Sequence, residues 1–84
     1  MITIKLLGPI QKALNVNTLY VDKAETSIVD ILSYLREKAI EPDLVEEKNF
    51  LIAINGIEYS LIPKGGPIVK SGDTVTIASL VHGG

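Results

Sequence analysis

The chain has 84 residues, 46% of them apolar, with ten acidic and eight basic side chains and a net charge of −2. That is the size of one small domain, and its scattered charges form no basic stripe, which with only three tyrosines and one phenylalanine disfavours nucleic-acid binding. There is no cysteine, so disulfides, thiol nucleophiles and cysteine-ligated metals are excluded.

Met1 to Leu7 carries a lysine within a short apolar run and has neither a secretory apolar core nor a cleavage motif. No stretch reaches the length needed to cross a bilayer, and a soluble, cytoplasmic protein is expected. Ile2-Thr3-Ile4-Lys5-Leu6 alternates apolar and polar residues, the period of a half-buried strand. Gly8-Pro9 breaks it. Ile10 to Val16 stays open between helix and loop, because Ile10, Ala13 and Leu14 have helical spacing over too few residues. Thr18-Leu19-Tyr20-Val21 restores the alternation, with Leu19 and Val21 on one face, and should pair with the first strand.

The clearest helix follows. Ser27 can cap it, with Asp30 three positions later in an aspartate variant of the capping box. Ile28, Ile31, Leu32, Leu35 and Ala39 form one apolar stripe. Asp30, Ser33, Arg36 and Glu37 take the wet side. Pro42 is expected to end the helix, and Glu41 to Asn49 to form an acidic, solvated connector.

Phe50 to Ile54 suits an interior strand covered on at least one face. Asn55-Gly56 is a strong hairpin signal leading into Ile57-Glu58-Tyr59. Ser60 to Pro67 reads as a loop; Gly65-Gly66 lacks the helix start and lysine-threonine pair that a phosphate cradle needs. Ser71-Gly72-Asp73 turns the chain into a last strand, Thr74 to Ala78, with Val75 and Ile77 inward. This order places one helix across one face of a mixed sheet of four to five strands, an α+β arrangement in two layers. The expected organisation is a folded body over 1–79 and a flexible tail over 80–84 that ends in Gly83-Gly84.

That element order, together with the glycine pair, resembles the ubiquitin-like β-grasp proteins, and within them the MoaD/ThiS sulfur carriers. Nearly the whole chain takes part. Gly8-Pro9 follows the first strand, and Ser27-Ile28-Val29-Asp30-Ile31-Leu32 is similar to the family's capped Thr/Ser-x-x-Asp-Leu-Leu helix. Ala53-Ile54-Asn55-Gly56 and Gly72-Asp73-Thr74-Val75-Thr76-Ile77 match its later strand ends. The tail departs from the Pro-Pro-Val-Ser/Ala-Gly-Gly of molybdopterin-synthase small subunits. Ala78-Ser79-Leu80-Val81-His82-Gly83-Gly84 is more similar to the ubiquitin-related modifiers, which close in Leu-His-Gly-Gly.

The resemblance implies chemistry at Gly84. An E1-like adenylyltransferase of the MoeB/ThiF type would use ATP to adenylate its carboxylate, and a sulfur nucleophile would then displace AMP to leave a thiocarboxylate. Glycine has no Cβ, so Gly83-Gly84 can thread a narrow channel that bulkier residues would block. His82 is the only histidine and cannot assemble a metal site; tail recognition is its remaining role. No cofactor is expected to be held stably, and no base or metal site can be assembled from these residues. The chain therefore reads as a protein substrate and carrier rather than an enzyme, for instance the small subunit of a molybdopterin synthase. Thr76, Ala78, Leu80 and Val81, on the open face of the sheet and beside the tail, are the expected partner contacts. Sulfur acceptors of the implied kind are the molybdopterin synthase large subunit, thiazole synthase or a tRNA thiolation enzyme. Two other readings stay open: a modifier conjugated to target lysines, and a non-covalent β-grasp interaction module.

Overall fold

In the computed structural model, which describes residues 1–40, 50–59 and 67–79, the first alternating run forms β1 (Ile2–Leu7). Ile2, Ile4 and Leu6 are fully buried on one side, while Lys5 and Leu7 turn to the other. The segment left open by its sequence is a short helix, α1 (Ile10–Leu14), which buries Ile10, Ala13 and Leu14. It stops at Asn15, which takes the left-handed conformation at φ 59 and so caps it. β2 (Thr18–Val21) then runs antiparallel to β1, with Leu19 opposite Ile4.

A strand that the sequence pattern did not signal comes next. β3 (Glu25–Ser27) leads straight into α2 (Ile28–Lys38). Three residues are too few to display a period. The Ser27 hydroxyl oxygen accepts the Asp30 backbone N–H at 3.0 Å, as the cap motif requires. Ile28, Ile31, Leu32 and Leu35 are buried along one stripe, each stabilising the fold by about 1.5–3 kcal/mol. The helix ends at Lys38, and Ala39, expected on its apolar stripe, is already extended at φ −72, ψ 137. Ile40 N–H donates to the Ala13 carbonyl at 2.6 Å, which ties the chain to α1 just past the helix. Pro42 and the acidic connector lie outside the described residues.

β4 (Phe50–Ile54) and β5 (Ile57–Glu58) form the hairpin. Asn55 and Gly56 both have positive φ, 52 and 83, which is what a two-residue turn of this twist demands. β6 (Ile68–Lys70) pairs antiparallel with β3 to make a separate two-stranded sheet, placing Val69 opposite Thr26. The loop expected from Ser60 onward lies outside the described residues up to position 66.

β7 (Thr74–Ser79) completes the main sheet, whose order is β2-β1-β7-β4-β5. β7 is parallel to β1 and antiparallel to β4, and so sits at the centre. The core fills the space between one face of this sheet and the two helices. Ile4, Leu6, Val75, Ile77, Phe50 and Ile52 face α2 there. No helix among the described residues is long and apolar enough to cross a membrane.

Candidate functional site

The face of the sheet away from the helices is organised by β7. Because Val75 and Ile77 point into the core, alternation puts Thr74, Thr76 and Ala78 on the open side. These three are half-buried rather than fully exposed, since a strand flanks β7 on each side. Register then fixes their neighbours. Thr76 lies between Lys5 and Ala53, and Ala53 pairs onward with Glu58, giving a row with a charge at each end and a threonine and an alanine between. Ala78 lies between Leu7 and Leu51.

That second row is apolar from strand to strand. Leu7 is 50% exposed and Leu51 46% exposed, and both share the open face with Ala78. With adjacent strands about 4.8 Å apart, the row spans about 10 Å. It sits at the C-terminal end of β7, where the chain departs toward Leu80. Leu7 and Leu51 were missed as site residues in the sequence. Leu7 follows inward Leu6, and Leu51 separates inward Phe50 from inward Ile52, so each is an apolar residue out of phase with its strand; that phase was the available signal.

The root of the tail is pinned. The Ser79 hydroxyl oxygen accepts the Ile10 backbone N–H at 2.9 Å, joining the last residue of β7 to the start of α1. Gly8, at φ 83, passes so close that a Cβ there would stand 3.0 Å from the Ser79 carbonyl oxygen. Among the sequence-predicted site residues, Thr76 and Ala78 are thus brought to one face beside this root. Leu80, Val81, His82, Gly83 and Gly84 lie outside the described residues.

The opposite end of β7 is a hydrogen-bonded clasp. Asp73 Oδ2 accepts the Lys70 N–H at 2.8 Å and its Oδ1 accepts from Asn55 Nδ2 at 3.0 Å. These donors, the Lys70 backbone first, hold the Asp73 carboxyl below its ordinary value of 3.8 against a smaller opposing effect of burial. The Gly72 N–H donates to the Met1 carbonyl at 2.9 Å, so the start of β1 joins the same clasp.

No protein-family model and no curated protein sequence matches the chain. Solved structures do. Urm1 from Trypanosoma brucei superposes with a TM-score of 0.75 at 22% identity, over 99% of this chain and 94% of that one. SAMP1 from Haloferax volcanii gives 0.72 at 20% identity, covering 99% and 98%. A complex of subunits 1 and 2 of the molybdopterin-converting factor from Helicobacter pylori gives 0.62 at 19% identity, covering 99% and 97%. The chain has the ubiquitin-like β-grasp fold that these proteins share.

Proposed function

We propose that the protein is a ubiquitin-like sulfur carrier whose reacting group is the carboxylate of Gly84, taken as the last residue of the active form. An E1-like enzyme binds the open face, and a Gly84 carboxylate oxygen attacks the α-phosphate of ATP, releasing pyrophosphate and leaving an acyl-adenylate. Hydrosulfide adds to the activated carbonyl and expels AMP, and after loss of the sulfur-bound proton the product is a thiocarboxylate ready to deliver sulfur. A free carboxylate is a poor acyl donor, which is why activation comes first. Mg-ATP, positioning and charge neutralisation come from the partner. The protein itself contributes the folded body and the Gly83-Gly84 ending, and acts in the cytoplasm.

The observation that carries the reading is the placement of β7. The strand leading to Gly83-Gly84 is central, anchored at Ser79, and bordered at its exit by the apolar Leu7–Ala78–Leu51 row. A partner seated on that row is next to the tail it must thread. Leu80 and Val81 would extend the contact, and His82 and Gly83 would line the channel. The sulfur acceptor then belongs to molybdopterin, thiamin thiazole or tRNA thiolation chemistry; the complex of subunits 1 and 2 of the Helicobacter pylori molybdopterin-converting factor supports the first. The modifier-like ending Val81-His82-Gly83-Gly84 favours a second outcome, transfer of Gly84 to target lysines, which shares the same activation.

The test is intact-mass analysis after incubation with ATP, sulfide and an E1-like enzyme from the same source, followed by iodoacetamide. Because the chain has no cysteine, an alkylated product mapping to Gly84 reports the thiocarboxylate. Its absence with an active cognate enzyme would turn the reading toward a non-covalent interaction module. Isopeptide-linked adducts in cells would add the modifier role.

A further inference from the structure

Asn55 and Gly56 form the exposed turn between β4 and β5. Glycine has no Cβ to hinder its backbone nitrogen, so an asparagine placed before it offers the side-chain carboxamide that such a nitrogen reaches most easily. The turn also has room around it, since a Cβ built on Gly56 would meet nothing within 4 Å.

The carboxamide is held from both sides at the entry to β7. Its Oδ1 accepts the Thr74 N–H at 2.9 Å, and its Nδ2 donates to Asp73 Oδ1 at 3.0 Å. The Asn55 backbone N–H adds a third bond, to the Thr74 carbonyl at 2.8 Å. Nδ2 is the nitrogen that must leave if the carboxamide reacts, and it is the one that the Asp73 carboxylate holds. Both side-chain bonds have to open before Cγ can turn to the Gly56 nitrogen.

We propose that Asn55 is a modification site: it deamidates through a cyclic imide with Gly56, at a rate set by the opening of its clasp with Asp73 and Thr74. A base removes the Gly56 N–H proton and the nitrogen bonds to Asn55 Cγ. The Cγ–Nδ2 bond breaks as Nδ2 takes up a proton and leaves as ammonia. Water then adds to one or other imide carbonyl and opens the ring, giving aspartate or isoaspartate at position 55. No oxidant, reductant or enzyme is required.

The product undoes the clasp. Aspartate puts an oxygen where Nδ2 stood, 3.0 Å from Asp73 Oδ1, and two carboxylates that close do not both stay ionised. A proton shared between them keeps the clasp closed in acid and is lost toward neutral pH. The folded product thus binds a proton that the unfolded product has released, so its stability falls as pH rises, opposite to the slope that Asp73 gives the unmodified chain. Isoaspartate adds a methylene to the main chain of the turn and so opposes the Ala53–Glu58 register. Either product loosens the entry to the strand that leads to the tail, without involving sulfur chemistry.

The experiment follows the full chain and the peptide acetyl-Ile-Asn-Gly-Ile-amide in mildly alkaline buffer, with mass mapping of aspartate and isoaspartate at position 55. The peptide has no clasp, and the folded chain is expected to convert at least about tenfold more slowly, the scale of one charge-assisted bond. Asp73→Ala should convert about tenfold faster than the unchanged chain. So should Asp73→Ser, whose hydroxyl can still accept the Lys70 N–H and preserve the fold. Asn55→Asp should unfold at lower urea as pH rises from acid to neutral. Conversion of the chain as fast as the peptide would overturn the proposal, as would Asp73 variants no faster than the unchanged chain. So would a complete lack of conversion in the chain and its variants once the peptide is spent, or an Asn55→Asp midpoint that does not fall toward neutral pH.

Discussion

Asn55 and Asp73 join two turns that are 18 positions apart in the chain: Asn55 Nδ2 donates to Asp73 Oδ1 at 3.0 Å. Asn55 Oδ1 in turn accepts the Thr74 N–H at 2.9 Å, and Asn55 N–H donates to the Thr74 carbonyl at 2.8 Å. The hairpin turn and the entry to β7 are thereby one unit. Since the folded state holds the Asp73 carboxyl below 3.8, the unfolded chain takes up the proton first as pH falls. The stabilisation from Asp73 is therefore fully present above that ordinary value and is lost as pH drops through the lower, folded value. Urea unfolding should show a midpoint that falls on acidification, and Asp73→Asn should flatten that dependence. An unchanged acid limb in the variant would remove Asp73 from this role.

Gly8 and Gly56 share a φ of +83 but not their surroundings. An alanine Cβ at position 56 meets nothing within 4 Å, whereas at position 8 it meets the Ser79 carbonyl oxygen at 3.0 Å. Gly56→Ala should cost about 1 kcal/mol, the left-handed strain alone. Gly8→Ala should cost about 1–2 kcal/mol more, because backbone must move at the root of the tail. Chemical denaturation of the two variants gives the comparison, and equal losses would mean that the close approach is relieved freely.

Leu7 and Leu51 are exposed and contribute little to the core, so Leu7→Asp and Leu51→Asp should leave stability within about 0.5 kcal/mol. If the open face carries the adenylating partner, each should raise KM for the protein substrate by about tenfold. Deletion of Gly83-Gly84 should instead abolish product while leaving binding measurable. Steady-state adenylation with each variant separates docking from reaction.

Leu35 is fully buried on α2 and Val29 is 56% exposed on the same helix. Leu35→Ala should destabilise by about 2–5 kcal/mol, and Val29→Ala by no more than about 0.5 kcal/mol. Ser27→Ala should fall between them at about 1 kcal/mol, through loss of the bond to the Asp30 N–H. A thermal or urea series of the three variants checks the order.

Local chemistry was enough to place β1, β2, α2, the Asn55-Gly56 hairpin and β7, because each carries its own period, cap or turn residue. The inward assignment of Val75 and Ile77 followed from the same alternation. β3 and β6 were invisible, since a three-residue strand exists only through its partner across the sheet. Ala39 leaves the helix for a related reason: just past it, Ile40 bonds to Ala13, a partner far away in the sequence. At the site, sequence singled out Thr76 and Ala78 but not Leu7 and Leu51. Nothing within β1 or β4 says that their out-of-phase leucines meet on either side of Ala78. Sequence alone determined which residues alternate, cap and turn, as these depend on near neighbours in the chain. Only the tertiary structure decided that β7 lies between β1 and β4, because strand order is set by contacts between segments far apart in sequence, and that order assembles the apolar row and leaves β2 as an edge.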